Sequence, residues 1–178
     1  MLVTAVALAA LLSACSSPAP PPVHTAALTA TPVFASDAEA LAAAEAAYAK
    51  YQAMEDTISH EGGKDPDRIR PFASRDALEE ALAAFAEFQQ KSLRTSGAVN
   101  FDHAQIESYA PHSASGLNEV LVDSCIDVSG VDLIDDSGTS VISPDRVARQ
   151  PFRLTFDVVE SSLVVASRER IENTKLCE

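Results

Sequence analysis

At Gly97 the spacing of apolar residues changes from helical to alternating, and this change restricts the fold more than any other feature of the chain. Before it, Leu41, Ala44, Tyr48, Tyr51 and Ile58 recur at the spacing of a buried helical stripe. Leu78, Leu82, Phe85 and Leu93 do the same, with Phe88 beside them. After it, Phe152, Leu154, Phe156 and Val158 alternate with other residues, as in a strand with one buried face. Helices first and strands afterwards exclude an alternating βαβ chain. They predict an α+β domain, N-terminal helices followed by an antiparallel meander.

The boundaries follow from local signals. Ser36-Asp37-Ala38-Glu39 has the spacing of a capping box and opens the first helix. His60-Glu61-Gly62-Gly63 closes it, because glycine stops helices. Asp65 to Ala73, with Pro66 and Pro71, reads as a short helical turn. The second helix begins near Ser74 or Asp76 and is expected to stop at Thr95-Ser96-Gly97. Strands are expected over Val99 to Phe101, Gln105 to Ala110 and Leu117 to Asp127, with Val120, Val122 and Ile126 on one face. Val131 to Ile134 precedes Asp135-Asp136-Ser137-Gly138, a hairpin signal, and Thr139 to Ile142 is the expected return. Ser161-Ser162 turns the chain into Leu163 to Ile171, which completes an antiparallel meander.

The N-terminus is different in kind. Leu2 to Leu12 is apolar and uncharged, the length of a signal h-region and short of the ~20 residues that span a bilayer. It runs into Leu11-Leu12-Ser13-Ala14-Cys15, which resembles the lipobox of bacterial lipoproteins. That resemblance implies a signal peptide over residues 1–14 and lipidation of Cys15, with two acyl chains holding the protein on the outer face of the membrane. Ser16 to Ala35 has no charged residue and holds Pro18, Pro20, Pro21, Pro22 and Pro32, so residues 15–35 read as a semi-rigid tether. The domain proper is expected over 36–178.

Composition narrows the partners. The formal net charge is -13, and every Asp, Glu, Lys and Arg lies after Ser36. A domain this acidic repels nucleic acid and anionic lipid alike. Of the three cysteines, Cys15 is assigned to lipid. Cys125 and Cys177 are then an even pair in an exported chain and read as one disulfide. A reactive thiol or a metal pair is the alternative, but no CxxC or Cys/His spacing supports a metal.

A tyrosine-bearing first helix is followed by the turn Asp67-Arg68-Ile69-Arg70-Pro71-Phe72-Ala73, then a second helix, then the strand pair from Cys125 to Gly138, then a last hairpin from Pro151 to Ile171. This order resembles secreted actinobacterial lipoproteins of nuclear transport factor 2-like (SnoaL-like, cystatin-like) type. The resemblance implies a sheet curved around long helices into a cone with a pocket at its mouth. Enzymes of this fold, such as ketosteroid isomerases and polyketide cyclases, work with an acid or base inside the cone. The residues of matching type here are Tyr48, Tyr51, Asp102, His103, Glu107 and Tyr109. None matches a catalytic motif, so Tyr48, Tyr51 and His103 stand only as catalytic candidates, and tyrosines at helical spacing are usually core residues with the hydroxyl at the rim.

Other chemistries lack their signatures. Asp102, His103, Glu107 and His112 have no recognised metal-ligand spacing. Asp132, Asp135 and Asp136 before Gly138 lack the closing glutamate of a calcium loop. Gly62-Gly63 is not followed by a phosphate-binding pattern, and no GxSxG elbow occurs. No metal or cofactor is expected. The functional expectation is a membrane-anchored, extracytoplasmic, non-catalytic lipoprotein that binds an envelope protein or a small apolar ligand. The alternative is a small-molecule enzyme of isomerase, cyclase or dehydratase type. A deep pocket with Tyr, His and Asp converging and one strongly shifted pKa would favour the enzyme, and a cone filled by Phe and Leu the binding or structural role.

Overall fold

The first helix starts at Ser36 because two capping bonds hold it there. The Ser36 Oγ accepts the Glu39 amide (3.2 Å), and the Glu39 carboxylate reaches back to the Ala35 amide (2.7 Å). The helix, α1, runs Asp37–His60. The computed structural model describes residues 33–110, 119–160 and 162–178. Cys15, the leader over 1–14, His24, His112 and most of the 15–35 tether therefore lie outside the described residues.

A 3-10 turn over Pro66–Ile69 leads into the second helix, α2, Arg75–Lys91. This helix ends earlier than its apolar period predicts. Ser92 takes the left-handed conformation (φ 53°), and the chain turns into a short strand, β1, Arg94–Ser96. Thr95-Ser96-Gly97 is thus the end of a strand rather than of a helix. Five more strands follow: β2 (Asn100–Ala110), β3 (Glu119–Asp127), β4 (Asp132–Ile134), β5 (Arg149–Val159) and β6 (Ser162–Arg170). The two short stretches expected before and after His103 are one strand, β2, kinked by a bulge where His103 is left-handed.

The class expected from the sequence, α+β, is the one observed. The main sheet is an antiparallel meander in the order β2-β3-β5-β6, with both helices packed against it. β4 leaves the meander and pairs with β1. Gly97 permits that excursion. Its φ is 81°, and a methyl group at its Cα would lie 1.9 Å from the Gly130 carbonyl oxygen. The expected return strand from Thr139 to Ile142 does not form. Asp135 Oδ1 accepts the amides of Ser137 and Thr139, which makes the turn, but only Ser140 then bridges to Ile134.

The inner face of the sheet is built from directly opposed pairs, Val120 with Phe156 and Val122 with Leu154. Alanines at the contact positions of the helices, Ala40 and Ala44 on α1 and Ala77 and Ala81 on α2, let both backbones approach it. Tyr48, Tyr51, Ile58 and Phe85 fill the space between. On the outer face, Asp123 and Asp127 stand opposite Arg153 and Arg149 and pair with them (2.8 and 2.9 Å). Arg149 also grips Asp102 across β2 (2.9 Å). Hydrogen bonds from Ser129, then from Arg149, hold the Asp127 carboxyl down at about 2.

Both ends of the described chain are tied down. Cys125 and Cys177 form a disulfide, with Cα atoms 5.2 Å apart. The expected bridge is present, but its route is not a strand turning back. A 3-10 turn over Thr174–Cys177 crosses β5 to reach β3, and Leu176 is buried beneath it. At the other end Phe34 packs edge-on against Tyr109 (5.5 Å), whose hydroxyl accepts the Val33 and Phe34 amides (2.8 and 3.1 Å). Packed chain therefore begins before residue 36.

Two outcomes follow. Cys125→Ser removes a cross-link over 52 residues, which chain entropy values at about 4 kcal/mol, so the thermal midpoint of unfolding should drop by about 10 °C. Phe34→Ala should cost about 2 kcal/mol in urea unfolding, because a nearly buried ring is lost. An unchanged midpoint would mean that residues before Ser36 do not contribute to the fold.

Candidate functional site

Beyond Val122 and Leu154 the inner face becomes more open: the next opposed pairs are Ser124 with Phe152 and Ile126 with Gln150. There a cavity of about 310 Å³ lies between the sheet, α1, α2 and β1. Phe85 and Phe88 come from α2, Ile126 and Val128 from β3 and its end, and Phe152 from β5. Its polar residues come mainly from α1, which contributes Tyr48, Gln52, Glu55, Asp56 and Ser59 at helical spacing.

Arg168 enters from β6, and a bulge explains why. Leu163 and Val165 face inward, opposite Val158 and Phe156. Simple alternation would send Ser167 inward next. The register instead skips Ala166, so Ser167 stands opposite Thr155 on the outer face and Arg168 opposite Leu154 on the inner one. The guanidinium then meets Glu55 at 3.2 Å and lies 5.2 Å from the centre of the Tyr51 ring. Burial alone would lower the pKa of Arg168, but Glu55 and the two tyrosines raise it well above its ordinary value. It stays charged.

The tyrosines are held in the same network. Tyr51 donates to Glu55 (3.2 Å), and Gln52 Nε2 donates to the Tyr48 hydroxyl (3.3 Å). Burial pushes Tyr48 up to about 12, with Arg168 opposing, and raises Tyr51 further. Both stay protonated at neutral pH. Burial also raises Asp56, against the pull of His60. Three buried side-chain atoms have no hydrogen-bond partner among the described residues: Gln52 Oε1, Thr95 Oγ1 and Arg168 Nε. All three belong to residues that line this one cavity.

The candidates from the sequence separate accordingly. Tyr48 lines the cavity, and Tyr51 lies behind it, fully buried. His103 does not approach it. That residue sits exposed at the bulge of β2 and pairs with Asp102 (2.9 Å), itself held by Arg149. Tyr109 anchors Phe34, and Glu107 lies 3.6 Å from Arg153. Among the described residues no three potential metal ligands come together. Asp135 spends its oxygen on the backbone of its own turn, and Asp132 bonds Ser140. Gln52, Glu55, Asp56 and Arg168 were not singled out from the sequence. The available signal was Gln52 and Glu55, polar residues on the same stripe as Tyr48, Tyr51 and Ile58.

The fold and cavity define an α+β domain with a lined internal site. No family model matches the chain, and no curated protein matches it in sequence. Among solved structures it is similar to the intermembrane-space region of the chloroplast protein ARC6, with a TM-score of 0.54 and 14% identity over 74% of this chain and 95% of that one. A periplasmic fragment of TraM scores 0.48 at 13% identity, covering 77% of this chain and 98% of its own. A structure from Catenulispora acidiphila scores 0.41 at 18% identity, covering 78% and 99%. The likeness to the ARC6 region is one of fold.

Arg168→Met should cost about 2–3 kcal/mol, because it leaves Glu55 charged and unpaired at 18% exposure. The double variant Arg168→Met, Glu55→Gln should recover part of that loss in urea unfolding. Equal losses in the single and double variants would show that the pair contributes nothing.

Proposed function

We propose that this chain is an extracytoplasmic lipoprotein of nuclear transport factor 2-like kinship, anchored through Cys15, whose domain binds a small, largely apolar ligand without chemical turnover. The observation that carries this reading is the cavity between helices and sheet. Its volume is at the lower end for small-molecule sites, its walls are mostly apolar, and its polar groups include three atoms left without a protein partner. The anchor rests on the Leu11-to-Cys15 run. The compartment is supported by the Cys125–Cys177 bridge, a kind of bond that persists in oxidising surroundings. A net charge of -13 favours neither nucleic acid nor an anionic surface as partner.

The enzymatic alternative has less support. An isomerase or cyclase needs a group that gains and loses a proton near neutral pH. Tyr48 stays protonated up to about 12, Tyr51 is engaged by Glu55 and His103 is elsewhere, so among the residues discussed only Asp56, raised by burial, is of the kind such an enzyme would use.

Two measurements test the proposal. Cys15→Ser should move the protein from the membrane fraction to the soluble fraction, and an unmodified Cys15 thiol on membrane-extracted protein would refute the anchor. For the site, 1-octanol is a neutral apolar probe. At tenfold its Kd it should stabilise the domain by about 1.4 kcal/mol, raising the thermal midpoint by a few degrees. Ala84→Trp, which places an indole in the cavity, should abolish the shift. A shift that survives Ala84→Trp would place binding elsewhere and overturn the reading of this cavity.

A further inference from the structure

The charges around the cavity point to the kind of ligand it selects, an inference that rests on the ligand-binding reading above. Three carboxylates line it, those of Glu55, Asp56 and Glu80, against a single cation, Arg168. Glu55 and Arg168 satisfy each other at 3.2 Å. Among the described residues neither Asp56 nor Glu80 has a cationic side chain within ion-pair distance. The base nearest to Asp56 along α1 is His60, one turn on, and its Nε2–H is already given to the Gly97 carbonyl (2.7 Å). Glu80 is exposed at the rim, while Asp56 is half-buried.

One turn before Asp56 on the same helix is Gln52, only 4% exposed. Its amide nitrogen is given to Tyr48, which leaves the amide oxygen as an acceptor with no donor. Thr95, from β1, adds a second unpartnered oxygen to the lining. Gln52 Oε1 only accepts, Thr95 Oγ1 can accept or donate, and Asp56, which takes one hydrogen bond from the Val99 amide, keeps acceptor capacity and has no cation beside it. An alkylammonium brings three donors and one positive charge. Aromatic side chains beside the same space supply faces that favour a cation further. An anion would meet the opposite situation. Arg168 offers it one free N–H, but its charge is already balanced by Glu55, and Asp56 would repel the newcomer.

We propose that the cavity selects a small amine, a cationic amphiphile whose ammonium lies against Asp56 and the Gln52 amide oxygen and whose apolar body packs on Phe85, Phe88 and Phe152. Burial already holds the Asp56 carboxyl above its ordinary value, so the site bears a desolvation penalty that a bound cation relieves. Burying an ammonium is favourable only when it is paired and hydrogen-bonded, which these acceptors provide.

Three probes of one chain length separate charge from apolar burial: 1-octylamine, 1-octanol and octanoate. Each is titrated calorimetrically at pH 7 and low salt into the full chain carrying Cys15→Ser, which removes the lipid and alters no described residue. Octylamine should bind at least tenfold tighter than octanol, and octanoate more weakly than either. Asp56→Asn should bring octylamine near the level of octanol while changing octanol far less. Gln52→Met should weaken octylamine several-fold, again more than octanol, and offers a second reading if the Asp56 variant fails to fold. Octylamine should lose affinity on addition of salt, and octanol should not. Equal binding of amine and alcohol, or amine binding indifferent to both substitutions, overturns the amine inference and leaves the ligand-binding reading intact. Tighter binding of octanoate would assign the site to anions through Arg168. Failure of all three probes overturns both readings.

Discussion

The ion pair between Arg168 and Glu55 joins α1, the first long element, to β6, the last strand, inside the layer where helices meet sheet. A charge at that depth is tolerable only with its partner in place. The pair thereby fixes how far α1 stands from the end of β6, and so keeps the space between them from being closed by apolar contact. Tyr51 stacks beneath the guanidinium and donates to the carboxylate, which binds the aromatic core to the polar network. The cavity lies where this arrangement meets Ile126, Gln150 and Phe152 of the sheet.

The outer face of the sheet works on another principle. The C-terminal 3-10 turn covers it around Cys125, and beside that contact polar residues pair across the strands: Asp123 with Arg153, Asp127 with Arg149. Glu119 and Asp157 are like charges directly opposed, an unfavourable register by themselves. Arg75, held left-handed at the start of α2, reaches both and resolves the conflict. The same contact docks the helix N-terminus onto an anionic strand end, where its dipole favours negative charge. Beside it, the Phe72 carbonyl and the Ser74 amide bond to both sides of Val165, which covers the free edge of β6. The edge of β2 is interrupted instead by the bulge at His103.

A fold of two helices on a four-stranded meander is shared with the ARC6 region at 14% identity. Identity that low is compatible with a common architecture because the architecture needs little: an apolar stripe, an alternating strand set and room for close approach. The site needs more. Its polar residues come from the inner stripe of one helix and from one position on a distant strand, so no short motif records them.

Much of the architecture was legible in order. The Ser36 cap, the two helical stripes, the switch at Gly97 and the alternation from Phe152 to Val158 each state a local conformation, and local conformation is what periodicity encodes. The pairing of Cys125 with Cys177 was legible too, because setting Cys15 aside leaves two cysteines with one partner each. What the chain order could not reveal were effects of register and crossing. The end of α2 at Ser92 and the pairing of β1 with β4 depend on a glycine passing a backbone carbonyl far along the chain. The inward turn of Arg168 depends on one skipped residue, Ala166, which inverts the side-chain parity of everything after it. Sequence alone determined which elements form, since each is specified by residues within a few positions of one another. Only the tertiary structure decided which charged side chains share a cavity, since that depends on how strands are aligned across tens of residues.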